Sequence, residues 1–224
     1  MSVLDIRGYR DSDEAALREI CLRTGDNGQD ATGKYKDPDL LSDIYAVPYT
    51  RFEPELCFVA EERGSGQVLG YIVGASDSAA FNEWYLREWL PQVAHRHPQP
   101  PVTRDGQRDA EGWTVWRLYH PESDPELFAE YPAHLHINLV AQAQGMGGGR
   151  GLMEHYLAAA RARGAERVHL HVSLSNTNAR AFYGKLGFVP IQLAGREAEP
   201  GLIGRSTGPE PDPGPSVAGP SVAG

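Results

Sequence analysis

The run Gln144-Gly145-Met146-Gly147-Gly148-Gly149-Arg150-Gly151-Leu152 holds five glycines in nine residues. Glycine brings no side chain to a core and loses more backbone freedom on folding than any other residue, so packing does not explain the run. What glycine allows is close backbone approach and a row of bare N–H groups. The run follows an apolar alternating stretch, 133–140, and opens a helical pattern over about 150–163. A helix start leaves its first N–H groups unpaired and carries the positive end of the dipole, which together suit phosphate or pyrophosphate. Strand, glycine turn and helix start therefore read as a pyrophosphate cradle, with a plain flexible turn as the simpler alternative. No Lys-Ser or Lys-Thr follows, which excludes the GxxxxGK[ST] nucleotide loop. Gly147-x-Gly149-x-Gly151 does not fit the GxGxxG dinucleotide fingerprint either.

The histidines are the other chemical signal. His134 and His136 sit two apart on the strand before the cradle, share a face, and titrate near neutrality. With His95/His97 and His169/His171 they make three His-x-His pairs, a usable metal-ligand spacing. No acid or cysteine accompanies the strand pairs at matching spacing, so no metal is assigned.

The elements that would position these groups follow from periodicity. Residues 4–9 read as a first strand. Asp11 or Ser12 is placed to cap a helix carrying Ala15, Leu17, Ile20 and Cys21 on one face, ended by Gly25. Pro38 introduces a short helix with Leu40, Leu41, Ile44 and Tyr45 that stops near Pro48. Residues 56–60 and 68–73 read as a hairpin through Arg63-Gly-Ser-Gly66. A long insert follows, with a helix around Phe81, Trp84, Tyr85, Leu86 and Trp89 ending at Pro91, a loop over 98–108, and a helical turn over 126–131. After the cradle helix come a strand over 167–174, a helix within 176–188, a sixth strand over 187–193, and residues 202–205 closing the sheet.

Gly208 to Gly224 is Pro- and Gly-rich with a repeated Gly-Pro-Ser-Val-Ala unit, composition that stays solvated and flexible. One domain over 1–206 with a disordered tail over 207–224 is expected. The net charge of −9 argues against nucleic acid or an anionic membrane as partner. No apolar stretch approaches a membrane span, and no signal peptide precedes the first strand. Cys21 and Cys57 read as small core residues in a reducing cytoplasm. A monomer or homodimer is expected.

Gln144-x-x-Gly147-x-Gly149 resembles the acetyl-CoA pyrophosphate loop of the GCN5-related N-acetyltransferase (GNAT) superfamily. The segment Asn176-x-x-Ala179-x-x-Phe182-Tyr183-x-Lys185-x-Gly187-Phe188 resembles that superfamily's second signature, in the right order and one helix and one strand downstream. Trp89-Leu-Pro91, Tyr119-His120-Pro121-Glu122 and Phe128-x-x-Tyr131-Pro132 are similar to the acetyltransferase-like domain at the C-terminus of animal O-GlcNAcases. That likeness covers most of residues 3–206. The animal domain has a degraded cradle and is regarded as a pseudo-acetyltransferase, whereas the cradle here is intact. The resemblance implies a GNAT fold of the α/β (α+β) class: a mixed central sheet of six to seven strands, helices on both faces, and a helical insert between strands three and four.

It also implies acetyl-CoA as acyl donor. Backbone N–H groups of Gln144, Gly145, Met146, Gly147, Gly148, Gly149 and Arg150 would hold the pyrophosphate, with Arg150 adding a charge-assisted contact. The pantetheine arm would lie along the fourth strand against backbone groups of Leu139 and Val140, and Asn176 would bond it. Asn176 also reads as a helix cap, and the two roles are compatible. Tyr183 is the candidate general acid, because a phenol with a pKa of about 10 stays protonated at neutral pH yet can protonate a departing thiolate. Its alternative is a packing aromatic beside Phe182. His136 is the first choice of base, although the positions that usually carry the superfamily's base correspond to Ala133 and Leu135. The histidines share the other parity unless a bulge reverses it, and a purely structural histidine is the competing reading. Asp26, Asp30, Tyr49 and Asp77 are outside candidates. The expected activity is acetyl transfer to a primary amine, on a small molecule or a protein lysine. The alternative is an acetyl-CoA-binding pseudo-enzyme or interaction module without catalysis.

Overall fold

A computed structural model describes residues 3–99 and 109–208. Seven strands form one sheet in the order β1-β2-β3-β4-β5-β7-β6. They are β1 (Leu4–Gly8), β2 (Phe58–Glu62), β3 (Val68–Ala75), β4 (Ala133–Leu139), β5 (Arg167–His171), β6 (Val189–Pro190) and β7 (Leu202–Ser206). Every pairing is antiparallel except β4 with β5. The sheet is therefore mixed, as expected, with its parallel joint in the middle.

Helices cover both faces. Strand alternation sends neighbouring residues to opposite sides, and on β3 Tyr71 meets Cys21 of α1 (Glu14–Arg23). Gly74, of opposite parity, meets Tyr156 of α8 (Gly148–Ala162). Helix α8 buries Leu152, Met153, Tyr156, Leu157 and Ala160, a stripe at helical spacing. Each large side chain in it contributes roughly 1.5–3 kcal/mol on burial.

Several expectations need correction. The short helix α2 (Leu40–Tyr45) does stop before Pro48, but an unexpected helix, α3 (Val47–Phe52), follows after Ala46, and Pro48 occupies its first turn, where its missing N–H costs nothing. The insert helix does not end at Pro91. It runs through α4 (Ser78–Trp84), a π-helical turn over Tyr85–Trp89, and α5 (Leu90–Val93). A π turn leaves a residue outside the i→i−4 ladder, where a ring without an N–H is accommodated. A ten-residue helix, α6 (Ala110–Tyr119), occupies a stretch to which the sequence assigns no element, and α7 (Pro125–Glu130) leads into β4. The expected loop over 98–108 lies mostly outside the described residues.

The sixth strand shrinks to Val189–Pro190, since Pro190 lacks a ladder donor and sits at the sheet edge. Asp11 and Ser12 do not cap α1. The carboxylate of Asp13 instead accepts the Arg10 N–H at 2.9 Å. Next to the expected boundary at 206, Thr207 is buried and donates its hydroxyl to the Ala165 carbonyl at 2.7 Å. The rest of the tail lies outside the described residues.

Candidate active site

The cradle leaves β4 through a short turn over Ala141–Ala143. Gln144 braces it by donating from Nε2 to the Leu139 carbonyl at 3.3 Å. Gly145 and Gly147 have φ of +78° and +84°, left-handed values that strain any residue with a Cβ. These two glycines shape the turn. Gly148 and Gly151 have a different reason, and here packing does matter: a Cβ on them would lie 2.7 Å from Leu4 Cδ1 and 2.9 Å from Ile6 Cγ1. The bare glycine face is what lets α8 settle onto β1. From Gly145 to Arg150 no N–H donates to a described backbone acceptor, and the first that does, Gly151, bonds the Gly147 carbonyl at 3.1 Å. Met146 and Arg150 point outward, Arg150 within 3.9 Å of Glu154.

Val140 does not serve as expected. Its N–H donates to the Leu69 carbonyl at 3.0 Å, and its own carbonyl accepts the Ala143 N–H at 2.9 Å. Successive residues of an antiparallel strand turn their backbone groups to alternate sides. Leu139 and Ile137 therefore direct theirs away from β3, towards β5. There the sheet opens: β4 and β5 pair only at Ala133↔Val168 and His134↔His169 and part beyond. A cavity of about 1520 Å³ is lined by the cradle, by this gap, and by residues of α1, α3 and the insert.

Asn176 and Tyr183 both line it. Asn176 caps α9 (Thr177–Lys185), its Oδ1 accepting the Ala179 N–H at 3.0 Å. The cap uses the oxygen and leaves the amide nitrogen to donate. Tyr183 is buried between Phe182 and Phe188, with ring centroids at 5.4 Å from each. Burial pushes its phenol pKa up, which keeps the proton on the oxygen. The Tyr183 hydroxyl bonds no described residue, yet it is not among the sealed-in side-chain polar atoms without partners, which among the described residues are the hydroxyls of Tyr9 and Tyr71. It opens into the cavity.

No bulge changes the parity of β4. Its register with β3 runs unbroken from Gly70↔Leu139 to Ala75↔His134. Ala133 and Leu135 are buried on the α8 side and carry no polar group. His134 and His136 lie on the other face, together with Asn138, which donates to Thr24 Oγ1 of the loop after α1. Both imidazoles meet one hydroxyl: Tyr49 Oη lies 3.0 Å from His134 Nε2 and 3.0 Å from His136 Nε2. Burial lowers the pKa of His136 to about 4, the field of Glu122 opposing it, and burial also holds that of His134 well below its ordinary value. Both rings are neutral at physiological pH.

Glu122, quoted from the sequence only for its likeness, proves part of the wall. It lies 3.3 Å from His171 Nδ1, and Glu199 accepts from His171 Nε2 at 3.1 Å. Bonding to Glu122 raises the His171 pKa. For Glu122, burial works upward but the bond and charge of His171 outweigh it, and the carboxyl titrates low. A ligand reaching this wall meets two carboxylates around one imidazole.

Of the outside candidates only Tyr49 reaches the cavity. Asp26 pairs with Lys34, Asp30 accepts from the Thr32 N–H, and Asp77 caps α4. The histidine pairs separate likewise. His97 is buried against Asp43, at 2.8 Å. His134 and His169 are neighbours, with ring centroids 5.8 Å apart, but His134 spends both nitrogens on Tyr49 and Ser78. Among the described residues no three metal-ligating side chains converge.

The acetyltransferase (GNAT) family model matches residues 26–188. The crystal structure of SsHAT is similar over 92% of this chain and 99% of that one, with a TM-score of 0.81 and 42% identity. Protein O-GlcNAcase of Rattus norvegicus is 24% identical over 209 residues, 91% of this chain but 22% of that protein, so this chain spans about a fifth of that relative's length. YncA of Salmonella typhimurium, solved with its cofactor acetyl-CoA, shares the fold at a TM-score of 0.52 and 16% identity, covering 94% of this chain and 97% of that one. The family model spans more than half of the chain, and this chain belongs to the GNAT acetyltransferase family.

Proposed function

We propose that this chain transfers the acetyl group of acetyl-CoA to a primary amine by direct attack. One observation carries the reading: cradle, parted strands, the Tyr183 hydroxyl and the His136 imidazole all line the same cavity. The donor fits the residues present. Its diphosphate suits the N–H row of 145–150 at the positive end of α8, and its extended arm suits the Leu139 and Ile137 backbone groups, in the manner of an added strand. Asn176 Nδ2 remains to donate to that arm. Acetyl-CoA supplies the acyl group as a thioester.

The chain's own residues supply the rest. Tyr183 holds a proton at Oη and gives it to the departing thiolate as the C–S bond breaks. His136 takes a proton from the amine nitrogen as the new C–N bond forms. That nitrogen becomes strongly acidic once bonded to carbon, so an imidazole with a low pKa suffices. One proton is lost from the amine and one gained by sulfur, and the two residues return to their starting states through solvent. The carboxylates of Glu122 and Glu199 favour an acceptor that arrives cationic, its ammonium giving a first proton to solvent so that the free amine attacks.

The second reading, a holder of acetyl-CoA without turnover, draws on the apolar Ala133 and Leu135. Measuring release of the CoA thiol against a panel of polyamines, aminoglycosides and lysine peptides separates the two. Release with at least one amine supports transfer. Binding of acetyl-CoA with no release under any amine overturns it.

A further inference from the structure

Four side chains from three elements form one hydrogen-bonded line at the cavity wall. Ser78 opens α4, Tyr49 belongs to α3, and His134 and His136 belong to β4. Ser78 Oγ lies 2.7 Å from the Pro132 carbonyl and 2.7 Å from His134 Nδ1. Tyr49 Oη bridges His134 Nε2 and His136 Nε2 at 3.0 Å each.

We propose that Ser78, His134 and Tyr49 are positioning residues that hold His136 in the tautomer protonated on Nε2, so that its Nδ1 lone pair faces the acceptor. The inference rests on the acetyl-transfer reading only for its use in catalysis, since the proton count stands alone. A carbonyl only accepts, so the single hydroxyl hydrogen of Ser78 goes to Pro132. Oγ must then accept, and His134 Nδ1 donates to it. A neutral His134 has no second hydrogen, so its Nε2 accepts the hydrogen of Tyr49. The Tyr49 oxygen is left as an acceptor, and His136 Nε2 donates to it. The one remaining nitrogen is His136 Nδ1, which bonds no described residue and is not among the sealed-in atoms without partners. It opens to the cavity that His136 lines.

The count depends on a neutral His134. A charged His134 would donate from both nitrogens, turn the Tyr49 hydrogen toward His136 Nε2 and move the His136 proton to the wrong side. Burial among Tyr49, Phe81 and His169 holds the His134 pKa well below its ordinary value, with the fields of His169 and His136 adding to the effect. The Tyr49 ring is itself clamped, stacked on Phe81 at 4.4 Å and 9°. The alignment is thus built before any ligand arrives.

Nitrogen-15 NMR of histidine-labelled protein at pH 7.5 tests this directly. The expected spectrum has His136 protonated on Nε2 and His134 protonated on Nδ1. Tyr49→Phe, which keeps the ring and removes the bridge, is expected to leave His136 as a tautomer mixture. It should also lower kcat about tenfold or more while KM for acetyl-CoA stays within about twofold. Ser78→Ala is expected to mix the His134 tautomers, and Ser78→Thr to restore them. His136 protonated on Nδ1 in the unmodified protein overturns the proposal, as does an unchanged His136 tautomer in Tyr49→Phe. Expected tautomers in a protein that acetylates no amine would support the relay and refute the transfer reading, so the two failures are distinguishable.

Discussion

Tyr156 of α8 donates its hydroxyl to the His134 carbonyl at 2.8 Å, on the face of β4 opposite the His134 ring. Room for that phenol comes from Gly74, where a Cβ would lie 2.6 Å from Tyr156 Cε2 and 2.3 Å from the His134 carbonyl oxygen. A backbone oxygen cannot swing aside as a side-chain tip does. Gly74→Ala is therefore expected to destabilise the fold by about 2–3 kcal/mol through overpacking. Tyr156→Phe should cost about 1 kcal/mol for the lost hydrogen bond. Urea unfolding of both variants measures the difference, and equal losses would contradict the packing described.

Gly147→Asp places a carboxylate and a Cβ where φ is +84° and no neighbour lies within 4 Å of the added atom. The fold has space for it, at a backbone strain of about 1 kcal/mol. An anionic ligand on the N–H row does not. Acetyl-CoA binding by calorimetry is expected to vanish while the melting temperature falls by only a few degrees.

Tyr183→Phe removes a hydroxyl that bonds no described residue. Its stability should be unchanged within about 0.5 kcal/mol, and acetyl-CoA affinity within about twofold. Turnover should fall by about 100-fold, the usual contribution of one acid–base group. A large loss of affinity would make Tyr183 a packing residue instead.

Acid should weaken the protein through the buried imidazoles. The folded pKa of His136 is near 4, below its unfolded value, so between about pH 6.5 and 4 the unfolded chain binds the extra proton. Stability then falls as pH falls through that window, by about 3 kcal/mol from this one residue. His134 and His169 act in the same direction. His171 acts oppositely, since its raised pKa adds stability at low pH that disappears as pH rises through the folded value. Chemical denaturation at pH 7 and pH 4.5 should show a smaller gap for His136→Gln than for the unmodified protein.

The glycine turn before α8 and the Asn176 cap of α9 were legible because glycines and a capping side chain at fixed offsets have few other uses. The histidine parity was legible as well, since a strand period of two needs no tertiary information. Helix α6 was not. Trp113, Thr114, Val115, Trp116 and Tyr119 are modest helix formers, and only Asp109, accepting the Gly112 N–H at 2.7 Å, marks its start. Val140 was misread because sequence shows which residue follows a strand, not which edge its N–H addresses. The roles of Tyr49 and Ser78 come from residues far apart in the chain, 85 and 56 positions from His134, and neither segment carries a local signal of that meeting.

The parting of β4 from β5 has a mechanical consequence. Across that seam the two halves of the sheet are joined by the rungs at Ala133 and His134 alone, and everything beyond is left to helices. A donor lying in the slit would supply the absent rungs and stitch the halves together. Bound at a hundred times its dissociation constant, it would add about 2.7 kcal/mol of stability. Slower amide exchange along Ile137 and Leu139 would trace the stitching.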